Sequence, residues 1–459
     1  MEDDFSVPHY KIKMVENTQL LPREKRIGAI KRCGNNVFSL KSEEVFIDLL
    51  SDSGTSAMSD SQWASMFHGD EAYSGSKSFF RLKEAVQEVM GFPLIIPAHQ
   101  GRAAEKILDE VLVKKGDVIP GNWHFDTTRA HIEYQGAIGI DCVTKEALEP
   151  AIFHPFKGNI DLEKLESVIK KHGKEKIPYI LLTITCNSMG GQPVSIQNIR
   201  DTKKLADQYG IPLFFDAARF AENAFFIKKR EKEFENHSIG EIVAEMFSYV
   251  DACTMSAKKD AIVNIGGFIG LRNQELYDKL VPIAILLEGY PTYGGMSGRD
   301  MEAVATGLRE VISEEYLAAR IGQVAYLARK LDEAGIPIIK PPGGHAVFVD
   351  GKAFLPHIPQ EQFPSQALCT QLYIESGIRA VEIGTCLAGR NPQTGKNVMP
   401  KLDLMRLTIP RRVYLREHMD YIVESLKRLY ARREQIKGLK FSFEATGIRH
   451  FKSRFEVIE

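Results

Sequence analysis

Met255-Ser256-Ala257-Lys258-Lys259-Asp260-Ala261-Ile262-Val263-Asn264-Ile265-Gly266-Gly267 is the stretch on which the reading of this chain turns. It completes an apolar run, 249–255, that reads as a buried strand, then breaks into a polar loop with two adjacent lysines and a closing Gly pair. A lysine behind a small Ser-Ala turn at the end of a buried strand loses part of its hydration. That lowers the amine pKa and suits it to Schiff-base chemistry. Ser256, three residues before Lys259, offers a hydroxyl to a phosphate. A Lys-Lys pair alone is a poor motif, because solvated loops carry such pairs routinely. The neighbouring strand ends decide the matter.

Working outward, the apolar runs 94–97, 118–120, 179–186 and 211–215 alternate with amphipathic segments at 102–113, 161–171, 196–209 and 239–247. Near-continuous apolar strands between helices indicate an α/β fold with a parallel sheet covered on both faces. Ligands gather at the carboxyl ends of such strands, and the polar signals fall there. After 94–97 comes Ala98-His-Gln-Gly-Arg102, directly before a helix. Free backbone N–H groups and the helix dipole favour an anion at that point, so Gln100, Gly101 and Arg102, with Ser256, form a candidate phosphate cradle. After 211–215 comes Asp216-Ala-Ala-Arg219. A carboxylate at the tip of a buried strand is costly without a partner. A protonated pyridine nitrogen would be one, with Arg219 near the phenolic oxygen of the same ring. Asn187 follows 179–186, and Phe125, in Trp123-His-Phe-Asp-Thr-Thr128, is placed to stack on a ring. Singly, these pieces read as a tight turn, a helix cap and a core aromatic. Together they supply an amine, an acid and an anion site in the order that pyridoxal 5'-phosphate requires.

The 459 residues suffice for one large domain and a smaller one. A formal net charge of -1 argues against a general nucleic-acid binder or a polybasic membrane protein. No apolar run is long enough to span a bilayer, the N-terminus lacks an apolar signal core, and a cytoplasmic protein is expected. The six cysteines are scattered without a C-x-x-C pair and read as reduced thiols. We expect an N-terminal arm over 1–47 that also forms part of the small domain, a large cofactor-binding domain over 48–310 and a smaller α+β domain over 311–459, with one long helix over 309–334.

Along nearly its whole length the sequence resembles the β-eliminating lyases of the fold-type I, aspartate aminotransferase-like, pyridoxal phosphate enzymes. The matching stretches are Ile47-Asp-Leu-Leu-Ser-Asp-Ser-Gly-Thr55, Gly69-Asp-Glu-Ala-Tyr-Ser-Gly75, His99-Gln-Gly-Arg102, Gly190-Gly-Gln-Pro-Val-Ser195, 255–260, Thr292-Tyr-Gly-Gly295 and Arg406-Leu-Thr-Ile-Pro-Arg-Arg412. The resemblance implies a mainly parallel seven-stranded sheet in the large domain. It makes Lys259 the Schiff-base lysine and Tyr73 a general acid contributed by an adjacent subunit. Arg406 becomes the clamp on the substrate α-carboxylate, assisted by Ser53 and Asn187; a bidentate guanidinium suits that task. Gly54, Glu71 and Asn264 match a site for a monovalent cation, potassium or ammonium. A homotetramer with shared active sites is also implied.

The family's members release either indole from L-tryptophan or phenol from L-tyrosine. Ile383 is apolar where the phenol-releasing members carry Arg. Asp126 stands where they carry Thr, and His450 where they carry Phe. These three positions lead to the expectation of L-tryptophan as substrate, with indole, pyruvate and ammonium as products, and Tyr73, Asp126 and His450 as the acid system. L-Tyrosine is the alternative, and a non-catalytic cofactor-binding regulator a distant one.

Overall fold

The computed structural model describes residues 7–391, 394–446 and 448–459. The described residues form two compact units, 7–8, 53–147 and 154–321 in the first, and 9–52, 148–153 and those from 322 onward in the second.

The first unit is built on a seven-stranded sheet. Its strands are β1 (Leu94–Ala98), β2 (Val118–Gly121), β3 (Ile138–Asp141), β4 (Ile180–Thr183), β5 (Leu213–Asp216), β6 (Ala252–Ser256) and β7 (Gly267–Leu271), in the order β1-β7-β6-β5-β4-β2-β3. β6, β5, β4, β2 and β3 run parallel, while β7 is antiparallel to both β6 and β1. The mainly parallel sheet expected from the apolar runs is therefore present. Its central strands are covered on both sides: Ile180, Leu182, Leu213 and Phe215 are buried on one face, Leu181 and Phe214 on the other. Each such side chain contributes about 1.5–3 kcal/mol of hydrophobic stabilisation. The helices that matter for the site are α1 (Gly101–Leu112), α2 (Asp126–Tyr134), α3 (Ile196–Tyr209) and α4 (Phe220–Arg230). Ser195 caps α3 by accepting from Asn198 N, and Gly210 ends it in the left-handed conformation.

In the second unit β8 (Ala346–Asp350), β9 (Val381–Ile383) and β10 (Leu404–Thr408) form an antiparallel sheet in the order β9-β10-β8. The short strand Ile47–Asp48 pairs in parallel with Ile378–Arg379. Arg411, with no side-chain exposure, is neutralised by Asp52 at 2.9 Å.

Three expectations need correction. The helix expected over 309–334 is two helices, Gly298–Glu310 and Glu314–Glu333. Ser313 separates them, its Oγ accepting from Tyr316 N as a cap does. The strand expected over 179–186 stops at Thr183, and the chain makes a tight helical turn at Asn187–Met189. β3 and β7 were not anticipated. β7 contains Gly270, whose missing side chain accommodates Phe92: a Cβ there would stand 2.6 Å from the ring. Strands with glycine at such approaches read poorly in sequence.

All six cysteines are buried and free of disulfides. No helix among the described residues is long and apolar enough to cross a membrane. Arg320 Nε donates to Glu222 Oε1 at 3.0 Å, and both side chains are 1% exposed. Arg320→Met should leave a buried carboxylate without this cation and destabilise the protein by about 3–5 kcal/mol. The loss would be read as a lower urea midpoint, part of it recovered by adding Glu222→Gln.

Candidate active site

The carboxyl ends of β2, β4, β5 and β6 lead to Phe125, Asn187, Asp216 and Lys259 respectively. Because these four strands are parallel, all four residues come to one end of the sheet. Asp216 is the last residue of β5, aligned with Thr254 of β6. Ser256 ends β6, and three residues on the half-buried Lys259 turns back so that its Nζ donates to Ser256 Oγ at 2.9 Å.

The cradle of Gln100, Gly101 and Arg102 starts α1, with Gln100 in extended conformation at its cap. It lies tight against the lysine loop. A Cβ on Gly101 would stand 2.7 Å from Ser256 Cβ, and one on Gly267 would stand 2.7 Å from the Gln100 carbonyl carbon. Only glycine permits this approach, which brings the amide end of a helix beside a serine hydroxyl. Positive charge gathers here too. Burial, and then the charge of Arg102, lower the Lys258 amine pKa. A phosphate-sized anion fits such a site.

Asp216 sits opposite in charge. Its Oδ1 accepts from Ala218 N at 3.2 Å. Burial raises its pKa, opposed by the charges of Lys259 and Arg219. Arg219 is 5% exposed. Phe125 caps α2 half-buried, and Asn187 is 2% exposed. Together these residues fit pyridoxal phosphate: an amine, a phosphate cradle, and an acid for the ring nitrogen.

Gly54, expected at the cation site, lies against the lysine loop, its N donating to the Lys258 carbonyl at 2.9 Å. Asn264 Nδ2 donates to the Gly54 carbonyl at 2.9 Å, so these two meet. Glu71, expected with them, instead accepts from Gly298 N at 3.0 Å and pairs with Arg299 at 3.2 Å. Tyr73 is 68% exposed, its ring 5.2 Å from Tyr293 and 5.7 Å from Tyr290. Ser53 begins the segment 53–147 of the first unit. Arg406, Ile383 and His450 belong to the second unit. There Arg406 is central in β10 and donates to the Leu50 carbonyl at 3.1 Å.

Sequence reasoning missed Glu105, Thr127 and Thr128. Both threonine hydroxyls donate to the Glu105 carboxyl, Thr127 at 2.9 Å and Thr128 at 2.7 Å. A signal existed: Glu105 and Asp109 interrupt the apolar face that Ala104, Ile107 and Leu108 give to α1. It missed Glu288 as well, which accepts from both the backbone N and the ring Nδ1 of His99, beside the cradle.

The model of the β-eliminating lyase family matches residues 48–425. The chain belongs to the β-eliminating lyase family. A tyrosine phenol-lyase of Symbiobacterium thermophilum is 53% identical over 449 residues, 98% of both chains. A tyrosine phenol-lyase of Pasteurella multocida is 52% identical, covering 97% of this chain and 98% of its own. Among solved structures, the aspartate aminotransferase of Thermotoga maritima superposes with a TM-score of 0.61 at 12% identity, covering 90% of this chain and 97% of that one. The fold is thus that of the fold-type I pyridoxal phosphate enzymes. The expectation of L-tryptophan as substrate is overturned: full-length relatives of this β-eliminating lyase carry the phenol-lyase name. The three positions behind that expectation also have local structural roles. His450 is buried with its ring 4.0 Å from that of Phe451, and Ile383 is a buried strand residue paired with Leu404. Asp126 Oδ1 accepts from Thr127 N at the start of α2.

Gly101→Ala should push α1 away from Ser256 at a cost of about 1–3 kcal/mol. Pyridoxal phosphate would then bind about tenfold more weakly, as equilibrium dialysis would show.

Proposed function

We propose that this protein cleaves L-tyrosine by β-elimination into phenol, pyruvate and ammonium, with pyridoxal phosphate held at Lys259. The observation that carries the chemistry is the Lys259–Ser256 contact at the carboxyl end of the strand next to Asp216. The full-length relatives support the choice of substrate.

Pyridoxal phosphate, when bound, supplies an electron sink for the charge that develops at the substrate Cα. The protein's residues do the rest. Gln100, Gly101, Arg102 and Ser256 would hold the phosphate, Phe125 the ring face, and Asn187 and Arg219 the phenolic oxygen. Asp216 would keep a proton on the ring nitrogen, because a buried carboxyl favours a cation partner. Lys259 would carry the aldehyde and then take the α-proton, its amine steadied by Ser256 Oγ. Arg406 would bind the substrate carboxylate, with Ser53 assisting. Tyr73 would give a proton to the departing ring carbon from a neighbouring copy in a homotetramer, a role consistent with its exposure in the single chain. A monovalent cation, potassium or ammonium, would bind with Gly54 and Asn264 of one copy and Glu71 of a neighbouring copy as ligands.

The test is incubation of the holoenzyme in potassium buffer with L-tyrosine and, separately, with L-tryptophan, assaying phenol, indole and pyruvate. Phenol with equimolar pyruvate is expected; indole as the main product would overturn the substrate reading and leave the cofactor reading standing. Lys259→Arg should lower turnover by several orders of magnitude while leaving pyridoxal phosphate bound without the imine absorbance. Tyr73→Phe should slow product release from tyrosine far more than exchange of the α-proton with solvent deuterium.

A further inference from the structure

We propose that Glu105 is a second acid of the ring-nitrogen site. It is a positioning residue that fastens the turn bearing Phe125 through Thr127 and Thr128 and adds a carboxyl group within electrostatic reach of Asp216. The inference rests on the cofactor reading above.

The geometry comes first. Glu105 lies on the inward face of α1, one turn beyond the phosphate cradle, and is 8% exposed. Thr127 Oγ1 donates to its Oε2 and Thr128 Oγ1 to its Oε1. Those threonines occupy the second and third positions of α2, immediately after Phe125 and Asp126. One carboxyl group therefore bolts the helix that would hold the phosphate to the turn that would hold the ring. Two hydroxyl donors on two oxygens also fix its rotation. Packing alone does not call for an acid here, since an aliphatic side chain of similar size buries at less cost.

The surroundings give the acid a second task. Glu105 is pushed up to about 8, first by burial and then by the charge of Asp216; the hydroxyls of Thr128 and Thr127 oppose the rise and the charge of Asp109 adds to it. Asp109, the next turn of α1, is itself pushed up to about 7 by burial; it accepts from Tyr179 Oη at 2.6 Å and is countered by Lys106. Asp216, on β5, is faced by Lys259 and Arg219. From α2, Asp126 turns one oxygen to the Thr127 amide. Burial and the neighbouring charge of Asp216 thus favour the protonated form of Glu105 near neutral pH. A cation placed against Asp216, such as a protonated ring nitrogen, offsets the repulsion and lets Glu105 ionise.

The sign follows from linkage. If binding lowers the pKa of Glu105, cofactor binding releases a proton, and affinity rises with pH up to the value near 8 of the free protein. The limit is about tenfold per pH unit for one linked proton.

The experiment is a titration of the apoprotein with pyridoxal phosphate at pH values between about 6 and about 8, comparing wild type with Glu105→Gln. Appearance of the imine absorbance in wild type tests the cofactor reading separately. The ratio of the two dissociation constants, variant over wild type, should grow several-fold from the acid to the alkaline end. A ratio that does not change with pH would overturn the proposal and reduce Glu105 to a structural residue. If Glu105→Gln fails to fold, Thr127→Val combined with Thr128→Val retains the carboxyl and removes its donors. Those donors lower the Glu105 pKa, so the pH dependence of binding should move to higher pH, and an unmoved profile would overturn the proposal.

Discussion

Two carboxyl groups, the half-buried Asp216 and the buried Glu105, lie within electrostatic reach of each other, and the charges of Lys259 and Arg219 favour the ionised form of Asp216. Burying an acid without compensation is among the costliest things a fold can do. The end of the sheet is organised to meet that cost. Asp216 takes an amide from Ala218, and Glu105 takes two hydroxyls from α2. The same groups leave an environment that welcomes a cationic ring on one side and an anionic phosphate at the other.

The architecture makes this economical. Parallel strands deliver their carboxyl ends to one side, so residues far apart in sequence converge without long loops. The antiparallel β7 returns the lysine loop along β6 and β1, bringing Gly267 against Gln100. That contact, with Gly101 against Ser256, presses the start of α1 onto the loop that carries Lys259. Cradle and amine are thereby fixed relative to each other by backbone packing, the most rigid support a protein offers.

Much of this was readable before any coordinates. Asp216, Asn187 and Lys259 each follow a buried apolar run, and Gly101 opens a helix directly after one. In a parallel α/β pattern such positions share one end of the sheet. Glu105 was overlooked because a carboxylate within a helical pattern reads as solvent-facing by default, and only its neighbours reveal otherwise. Ser313 could have been read as a cap, since Ser-Glu-Glu after an apolar stretch is a helix-start signature. The substrate reading failed for another reason. Ile383, Asp126 and His450 were weighed as pocket residues, and no sequence pattern distinguishes a pocket position from one with a packing or capping role.

By itself the sequence determined the periodicity of burial, and with it the α/β fold and the cofactor class, because those follow from residue type and local order along the chain. The tertiary structure alone decided which groups face one another across elements: Glu105 with Thr127 and Thr128, Gly267 with Gln100, Glu71 with Arg299. Such pairings depend on crossing geometry and on the desolvation each side chain meets, quantities that exist only once the strands and helices have been brought together.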